Sequence, residues 1–368
     1  MQAPTWGPWK GSGLKLILDI SAYLKAMRRS VFWLLLKLQL KPLLVLLFCL
    51  STDLTAQHSP RGDVCFVWYN PENLFHPEDD SLAGDDEFTP QGPRHWTWSR
   101  YRQKITALAK VIIAAGRGEA PELVGLCEVE NALVLKDLVR HPILAPYDYV
   151  YFHQEGEDHR GMELACLCRT GRLECVHWEC VPFSPPLTAT RDMMHLMLSW
   201  GEDTLDLFLV HLLSKYRGAG ATAELRRVQT EQLVSLMDSV YQVRSRGLLL
   251  AAGDFNEEYG SYSLEPLRSA RFGADSLSYL KPEHGNASYK YRGRWIAIDQ
   301  VLASSSLEPC LPGVNILQLP PLFTDDQRYG GIKPSRSYEG YLYRGGISDH
   351  LPLVVHLFDP KALAPDGP

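Results

Sequence analysis

The sequence predicts one large layered α/β domain behind an N-terminal leader, and three observations carry this. Short apolar runs of strand length alternate with helical patterns from residue 63 nearly to the C-terminus. No Pro/Gly/Ser-rich interior linker divides the chain, and no repeat with a period of about 20–50 residues is visible. The composition over 368 residues, 45% hydrophobic, 22% charged and 10% aromatic, is that of an ordinary globular protein.

In chain order, strands are predicted at 63–69, 122–127, 147–153, 163–169, 173–181, 193–200, 204–212, 247–252, 294–303 and 351–357. A helix is predicted over 98–115, where Ile105, Leu108, Ala109 and Ile112 recur at helical spacing and Gly116 provides the stop. A second is predicted over 221–243, with Leu225, Val228, Leu233, Leu236 and Val240 as its apolar stripe. The Pro/Gly/polar stretches 76–95 and 312–346 read as long loops, which in a compact domain are usually functional or disordered. Residues 359–368 read as a loose tail.

The formal net charge of −6 is unevenly distributed. Residues 1–56 carry seven Lys/Arg and two Asp/Glu, while the remaining 312 carry 30 and 41, a net −11. That balance argues against a broad basic face for long nucleic acid, so a phosphate-bearing substrate needs local positive charge, for which a bound metal is one source. Residues 1–56 read as an N-terminal extension and signal peptide. Arg28 and Arg29 precede an apolar run, and Leu54-Thr55-Ala56 offers a small-residue cleavage site before Gln57. The longest clean apolar stretch, Leu43 to Leu50, falls short of the about 20 residues a spanning helix needs. Export to the periplasm or medium, without stable membrane insertion, is therefore expected; the alternative is an uncleaved signal anchor. The seven cysteines beyond the leader lack close metal-ligand spacing and read mostly as small core residues, leaving room for one disulfide.

Polar residues gather at the predicted strand ends, where α/β folds place their sites. The first strand runs into Tyr69-Asn70-Pro71-Glu72-Asn73, and the second into Glu128, followed by Glu130 and Asn131. Strand 204–212 delivers His211, then Ser214 and Lys215; strand 247–252 ends in Gly253-Asp254-Phe255-Asn256. Run 294–303 carries Asp299 in apolar company, and Ser348-Asp349-His350 precedes the last strand. Taken singly, a strand-end Glu is more commonly a solvated carboxylate and a His after an apolar run a core histidine. Asp299 says more, because a buried carboxylate is costly without a partner. Together the acids and histidines suit a hard divalent cation plus acid–base chemistry. Two carboxylates about 4 Å apart repel by roughly 4 kcal/mol at an effective dielectric of about 20, so gathering Glu72, Glu128, Asp254 and Asp349 calls for a cation.

In this order YNPENLF (69–75), GLCEVEN (125–131), RGMELACLCR (160–169), HLLSK (211–215), GDFN (253–256), IDQV (298–301) and SDHLP (348–352) resemble the endonuclease/exonuclease/phosphatase superfamily, metal-dependent phosphodiesterases of the deoxyribonuclease-like fold. The first motif is most similar to those of exported bacterial members. The resemblance implies a four-layer α/β sandwich, two mixed β-sheets packed face to face with helices outside, and makes 57–358 the catalytic domain. It implies Glu128 as the principal Mg²⁺ ligand, with Mn²⁺ able to substitute, and Asn70, Glu72 and Asp349 around the metal. Many relatives carry Asp at the position of Glu72. Asp254 and Asn256 would position the attacking water and phosphoryl oxygens, Asp299 would orient His350, and His211 would contact the scissile phosphate. Asp254 and His350 stay open as alternatives for the group that takes the proton from water. Arg160, Lys215 and Arg336 are the substrate-side candidates, with Arg217 beside Lys215. Arg336 lies in KPSRSYEGYLYRGG (333–346), whose interleaved Arg and Tyr suit bases or sugar rings, although Tyr-rich loops also pack structurally. The implied protein is an exported, monomeric, Mg²⁺-dependent phosphodiesterase, a nuclease first, acting on nucleic acid, a nucleotide or a phospholipid headgroup. A phosphomonoesterase, a lipid or small-molecule phosphodiesterase, and an inactive binding module are the alternatives.

Overall fold

The computed structural model describes residues 63–358, except 79–83, 85, 157–159, 185–189, 216, 217, 245, 246 and 284–286. The expected leader, the tail and Arg217 lie outside the described residues. From β1 (Val64–Tyr69) the chain passes through helix α1 (Trp98–Ala115) to β2 (Leu123–Val129). Helix α2 (Ala132–Val139) is followed by β3 (Tyr149–His153), β4 (Glu163–Arg169), β5 (Glu174–Val181), β6 (Met193–Trp200) and β7 (Asp203–His211). Helix α3 (Ala219–Tyr241) leads to β8 (Leu248–Asp254), and α4 (Glu265–Ser269) to β9 (Arg271–Phe272) and β10 (Asp275–Tyr279). The hairpin β11 (Tyr289–Tyr291) and β12 (Arg294–Ile296) precedes β13 (Asp299–Ser304) and β14 (Val314–Ile316). The hairpins β15 (Phe323–Asp325) with β16 (Ile332–Pro334) and β17 (Tyr338–Glu339) with β18 (Leu342–Tyr343) precede β19 (Leu353–Leu357).

Two mixed sheets result, in the orders β14-β19-β1-β2-β4-β3 and β5-β6-β7-β8-β13-β10-β9. Each has one parallel pair, β1 with β2 across α1 and β7 with β8 across α3, because a parallel step needs a crossover. Strands β7 and β8 are buried on both faces, which explains their continuous apolar runs. Leu205, Leu207 and Leu209, with Leu248, Leu250 and Ala252, join Phe66, Trp68 and Leu126 of the first sheet in one core. Phe208, Val210, Leu249 and Ala251 face the other way, onto Leu233, Met237 and Val240 of α3. The expected four layers are present: α3, the second sheet, the first sheet and α1.

The sheets pack tightly at Gly125, where a Cβ would lie 3.0 Å from Leu209 Cδ2 of the opposite sheet and 3.0 Å from Trp68 Cε3. Gly125→Val should therefore destabilise the domain by about 1–3 kcal/mol through overpacking. Urea unfolding checks this, with a shifted midpoint and an unchanged slope expected.

Several expectations need correction. Run 294–303 is two elements: β12 turns away into the hairpin with β11, and Asp299 opens β13 rather than sitting inside a strand. Helix α2 was not expected, because ALVLKDLV is too uniformly apolar to show helical period. Asn131 caps it, Oδ1 accepting from Leu133 N at 3.0 Å and Val134 N at 3.2 Å. The 312–346 loop holds five short strands. All seven cysteines are free thiols, so the disulfide expectation fails among the described residues. Burial, aided by Glu122, pushes the Cys65 thiol up to about 12.

Candidate active site

Sheet register builds the centre of the site. His211, the last residue of β7, pairs with Asp254, the last of β8, which in turn pairs with Asp299, the first of β13. Residues directly opposite on neighbouring strands project to the same face, so the three side chains stand in a row. His211 Nε2 is 3.7 Å from Asp254 Oδ2, and His350 Nε2 approaches the same oxygen at 3.8 Å. His350 Nδ1 is 2.6 Å from Asp299 Oδ2. That oxygen also accepts from Ser288 Oγ at 2.5 Å, while Trp68 Nε1 donates to Asp299 Oδ1 at 3.0 Å. Ser348 Oγ donates to Asn70 O at 2.6 Å and accepts from His350 N at 2.9 Å, tying the last loop to the end of β1.

The acids gather beside this row. A register shift between Leu126 and Val129 interrupts the β2–β4 ladder and leaves Glu128 at φ 53. Its carboxylate accepts from Asn70 Nδ2 at 3.1 Å and Asn73 N at 2.8 Å. Asn70 Oδ1 accepts from Glu72 N at 2.9 Å, which orients the amide so that Nδ2 also reaches Asp254 Oδ2 at 3.3 Å. Glu72, Asn73 and Asn256 share the left-handed backbone with φ of 55, 50 and 52. Non-glycine residues there cost of order 1–3 kcal/mol each, and such strain clusters at functional sites. Asn256 N donates to Asp254 Oδ1 at 2.9 Å, but its side chain is committed to Leu212 O at 3.0 Å.

Glu72 is buried against cations. Arg336 Nε donates to its Oε1 at 3.1 Å, Ser337 N to its Oε2 at 2.7 Å, and Lys104 Nζ to its backbone carbonyl. Arg336 also donates to Asp349 Oδ2 at 2.9 Å, so this substrate-side candidate bridges two of the metal-side candidates. Lys215 is not brought in; it pairs with Glu257 at 2.8 Å, as does the buried Arg226 at 2.7 Å. Arg160 acts on the site through its charge at His211.

These surroundings displace the titrations. Burial, then the Asp299 charge, raises Asp254 up to about 7. Burial and Asp349 likewise push Glu72 up to about 7 against the pull of Arg336 and Lys104, while burial brings Lys104 down to about 8. Burial opposes a charged His350, yet the Asp299 carboxylate and its hydrogen bond hold the imidazole well above its ordinary value. His211 is held well below its own, by burial and then by Arg191 and Arg160, which favours the neutral ring.

Sequence reasoning missed Trp68, Ser288, Lys104, Ser337 and Arg191. A signal existed only for Lys104, a lysine on the apolar stripe of α1 one position before Ile105.

The donor set fits a hard divalent cation. Asp254, Asp299 and His350 offer ligand atoms within 4.8 Å of one another. Asp299 already accepts three hydrogen bonds; Glu128, linked to Asp254 through the shared donor Asn70 Nδ2, and Asp349, 3.9 Å from His350 Nε2, are the further oxygen donors beside this group. Burial first, and then the neighbouring Asp299 and Glu128 charges, raise Asp254 to about 7, and a bound cation would oppose all three. A concavity of about 930 Å³ between α1 and residues 319–322 contains none of these acids.

The chain matches the Endonuclease/Exonuclease/phosphatase family over residues 65–359 and belongs to it. The family is one of phosphoester hydrolases. No curated protein matches the chain significantly by sequence. Among solved structures it is similar to a mannosyl-6-phosphatase from Bacteroides thetaiotaomicron, at 18% identity and a TM-score of 0.53, covering 80% of this chain and 100% of that one. An endonuclease/exonuclease/phosphatase family protein from the same organism shows 17% identity and a TM-score of 0.52, covering 80% and 97%. Truncated Caenorhabditis elegans TDP2 shows 12% identity and a TM-score of 0.51, covering 80% and 98%. Likeness at this level is likeness of fold.

Proposed function

We propose that this chain is an exported, Mg²⁺-dependent phosphodiesterase, a nuclease, that hydrolyses its substrate by in-line attack of water. The observation that carries the reading is the row His211, Asp254, Asp299 and His350 set beside Glu128. Asp299, fixed by Trp68 and Ser288, favours the protonated form of His350 and aims its ring. The Nε2–H lies 3.8 and 3.9 Å from Asp254 and Asp349, too far for a hydrogen bond, and is available to a phosphoryl oxygen. A protonated His350 cannot accept the proton of water, which favours Asp254 for that task. Asp254 is held for it by Asn256 N and Asn70 Nδ2. Neutral His211, on the other side of Asp254, can hydrogen-bond the phosphoryl group as charge builds. Glu128 with Asp349, and Asn70 and Glu72 beside them, would hold Mg²⁺, whose contribution when bound is to offset charge on the phosphoryl and leaving oxygens. Export rests on the leader character of residues 1–56.

The test is an assay of the full chain on single-stranded and duplex DNA, RNA, a small artificial diester and a phosphate monoester. Diester cleavage should vanish in excess chelator and return with Mg²⁺ or Mn²⁺. Turnover of monoesters alone would replace the nuclease reading with a phosphatase, and full cleavage in chelator would remove the metal.

A further inference from the structure

We propose that the groove between the β11–β12 hairpin and the loop joining β15 to β16 is a binding site for single-stranded nucleic acid, held by Arg292 and Arg328. The proposal rests on the phosphodiesterase reading above and adds the substrate class to it. The groove, about 570 Å³, is lined by Arg292, Arg328 and Tyr329 and includes Arg336 and Asp349 of the active site. A ligand lying in it is therefore continuous with the reacting phosphate. Its volume is that of a pocket for one modest ligand, enough for a short strand end and not for a duplex.

The walls are built to stay in place. Arg292 at φ 48 and Gly293 at φ 83 form the tight turn that right-twisted hairpins prefer. A Cβ at Gly293 would meet Tyr329 Cβ at 3.1 Å, so the hairpin tip abuts the loop and glycine is required there. Lys290 fastens the two, its Nζ donating to Gly330 O at 2.8 Å and Ile332 O at 3.1 Å and pairing with Asp326 at 3.0 Å. A groove fixed before binding loses little entropy on binding.

Charge selects the ligand. Lys290 is neutralised by Asp326, and both Lys333 and Arg344 pair with Glu339. Among the described residues neither Arg292 nor Arg328 pairs with a carboxylate. Each guanidinium instead lies over a tyrosine, 5.2 Å from the ring centroid of Tyr291 and of Tyr329 respectively. Both rings are about half exposed, at 52% and 46%. Tyr329 with Arg328 beside it lines the groove, and Arg292 adds a second cation there, an arrangement that suits a stacked base flanked by phosphates of a single strand. A free polyphosphate would use the guanidiniums and leave the ring idle.

The test reads binding rather than turnover. Full chain in excess chelator is titrated against a labelled single strand of about 12 nucleotides, followed by fluorescence anisotropy. Arg292→Ala and Arg328→Ala should each weaken binding about tenfold and reduce the log–log salt slope by about 0.7 for each phosphate no longer neutralised. Tyr329→Ala should weaken it on the order of tenfold through lost stacking. Arg140→Ala, which removes the same charge at the end of α2, should leave affinity within twofold, roughly the scatter of a solvated surface charge. Unchanged affinity in the Arg292/Arg328 double variant would overturn the proposal. So would duplex bound as tightly as single strand, or tripolyphosphate competing as well as an oligonucleotide. Because binding is read without catalysis, a chain that holds the strand through these residues but cleaves nothing would refute the phosphodiesterase reading and leave the groove standing.

Discussion

Replacing His350 with alanine, or Asp299 with asparagine, is expected to lower kcat by on the order of 10²–10⁴, the range of general acid–base catalysis. Replacing both should cost little more than the larger single loss. Asp299 touches no substrate in this arrangement; it acts through His350, 2.6 Å away, and is itself fixed by Trp68 and Ser288. Once the carboxylate is gone, the ring loses both its orientation and the charge that keeps it protonated. Removing the ring afterwards then takes away little that is still working, and effects of groups that act as a unit do not add. The measurement is kcat for the two single variants and the double variant on a small diester, with near-ultraviolet circular dichroism to verify packing around Trp68. A double variant slowed by the product of the two single effects would show that the residues work separately.

How much of this was legible beforehand depends on what determines each feature. The layered fold was legible because β7 and β8 are buried on both faces, which forces runs such as LFLV and LLLAA that no surface strand would carry. The reacting groups were legible because the chemistry dictates residue type: acids, amides and histidines at strand ends have few other reasons to recur in that order. Their partners were not. Trp68 reads as one more core aromatic in β1, and Ser288 as part of a polar turn, until the fold brings them to Asp299 across 231 and 11 residues of chain. Arg336 reads as a free cation in an Arg/Tyr loop, and its position between Glu72 and Asp349 follows from a contact 264 residues apart. The net charge beyond the leader also hid the Arg292 and Arg328 groove, because a total charge says nothing about which cations are already paired.

Glu128→Gln is expected to abolish metal-dependent activity while leaving the fold intact. Glutamine keeps the shape of the side chain and can still accept from Asn73 N, so the strained backbone at φ 53 retains that hydrogen bond, although its amide NH2 cannot accept from Asn70 Nδ2 and that bond is lost. What it loses is the charge. A carboxylate about 4 Å from a unit charge is worth about 4 kcal/mol at an effective dielectric of about 20, roughly a thousandfold in affinity, and a divalent cation feels more. Mg²⁺ titrated against thermal unfolding reads this directly, because a cation that binds only the folded chain raises Tm with concentration. The wild-type chain should show that rise and the Gln variant should not. In chelator the difference should nearly vanish. Glu128 adds to the repulsion that raises Asp254, so removing its charge offsets the lost Asn70 bond, and the metal-free Gln variant should lie within about 1 kcal/mol of the metal-free parent. A variant that kept the Mg²⁺-induced rise in Tm would place the cation elsewhere among the acids, and one several kcal/mol less stable in chelator would mean the Glu128 charge serves the fold and not the metal.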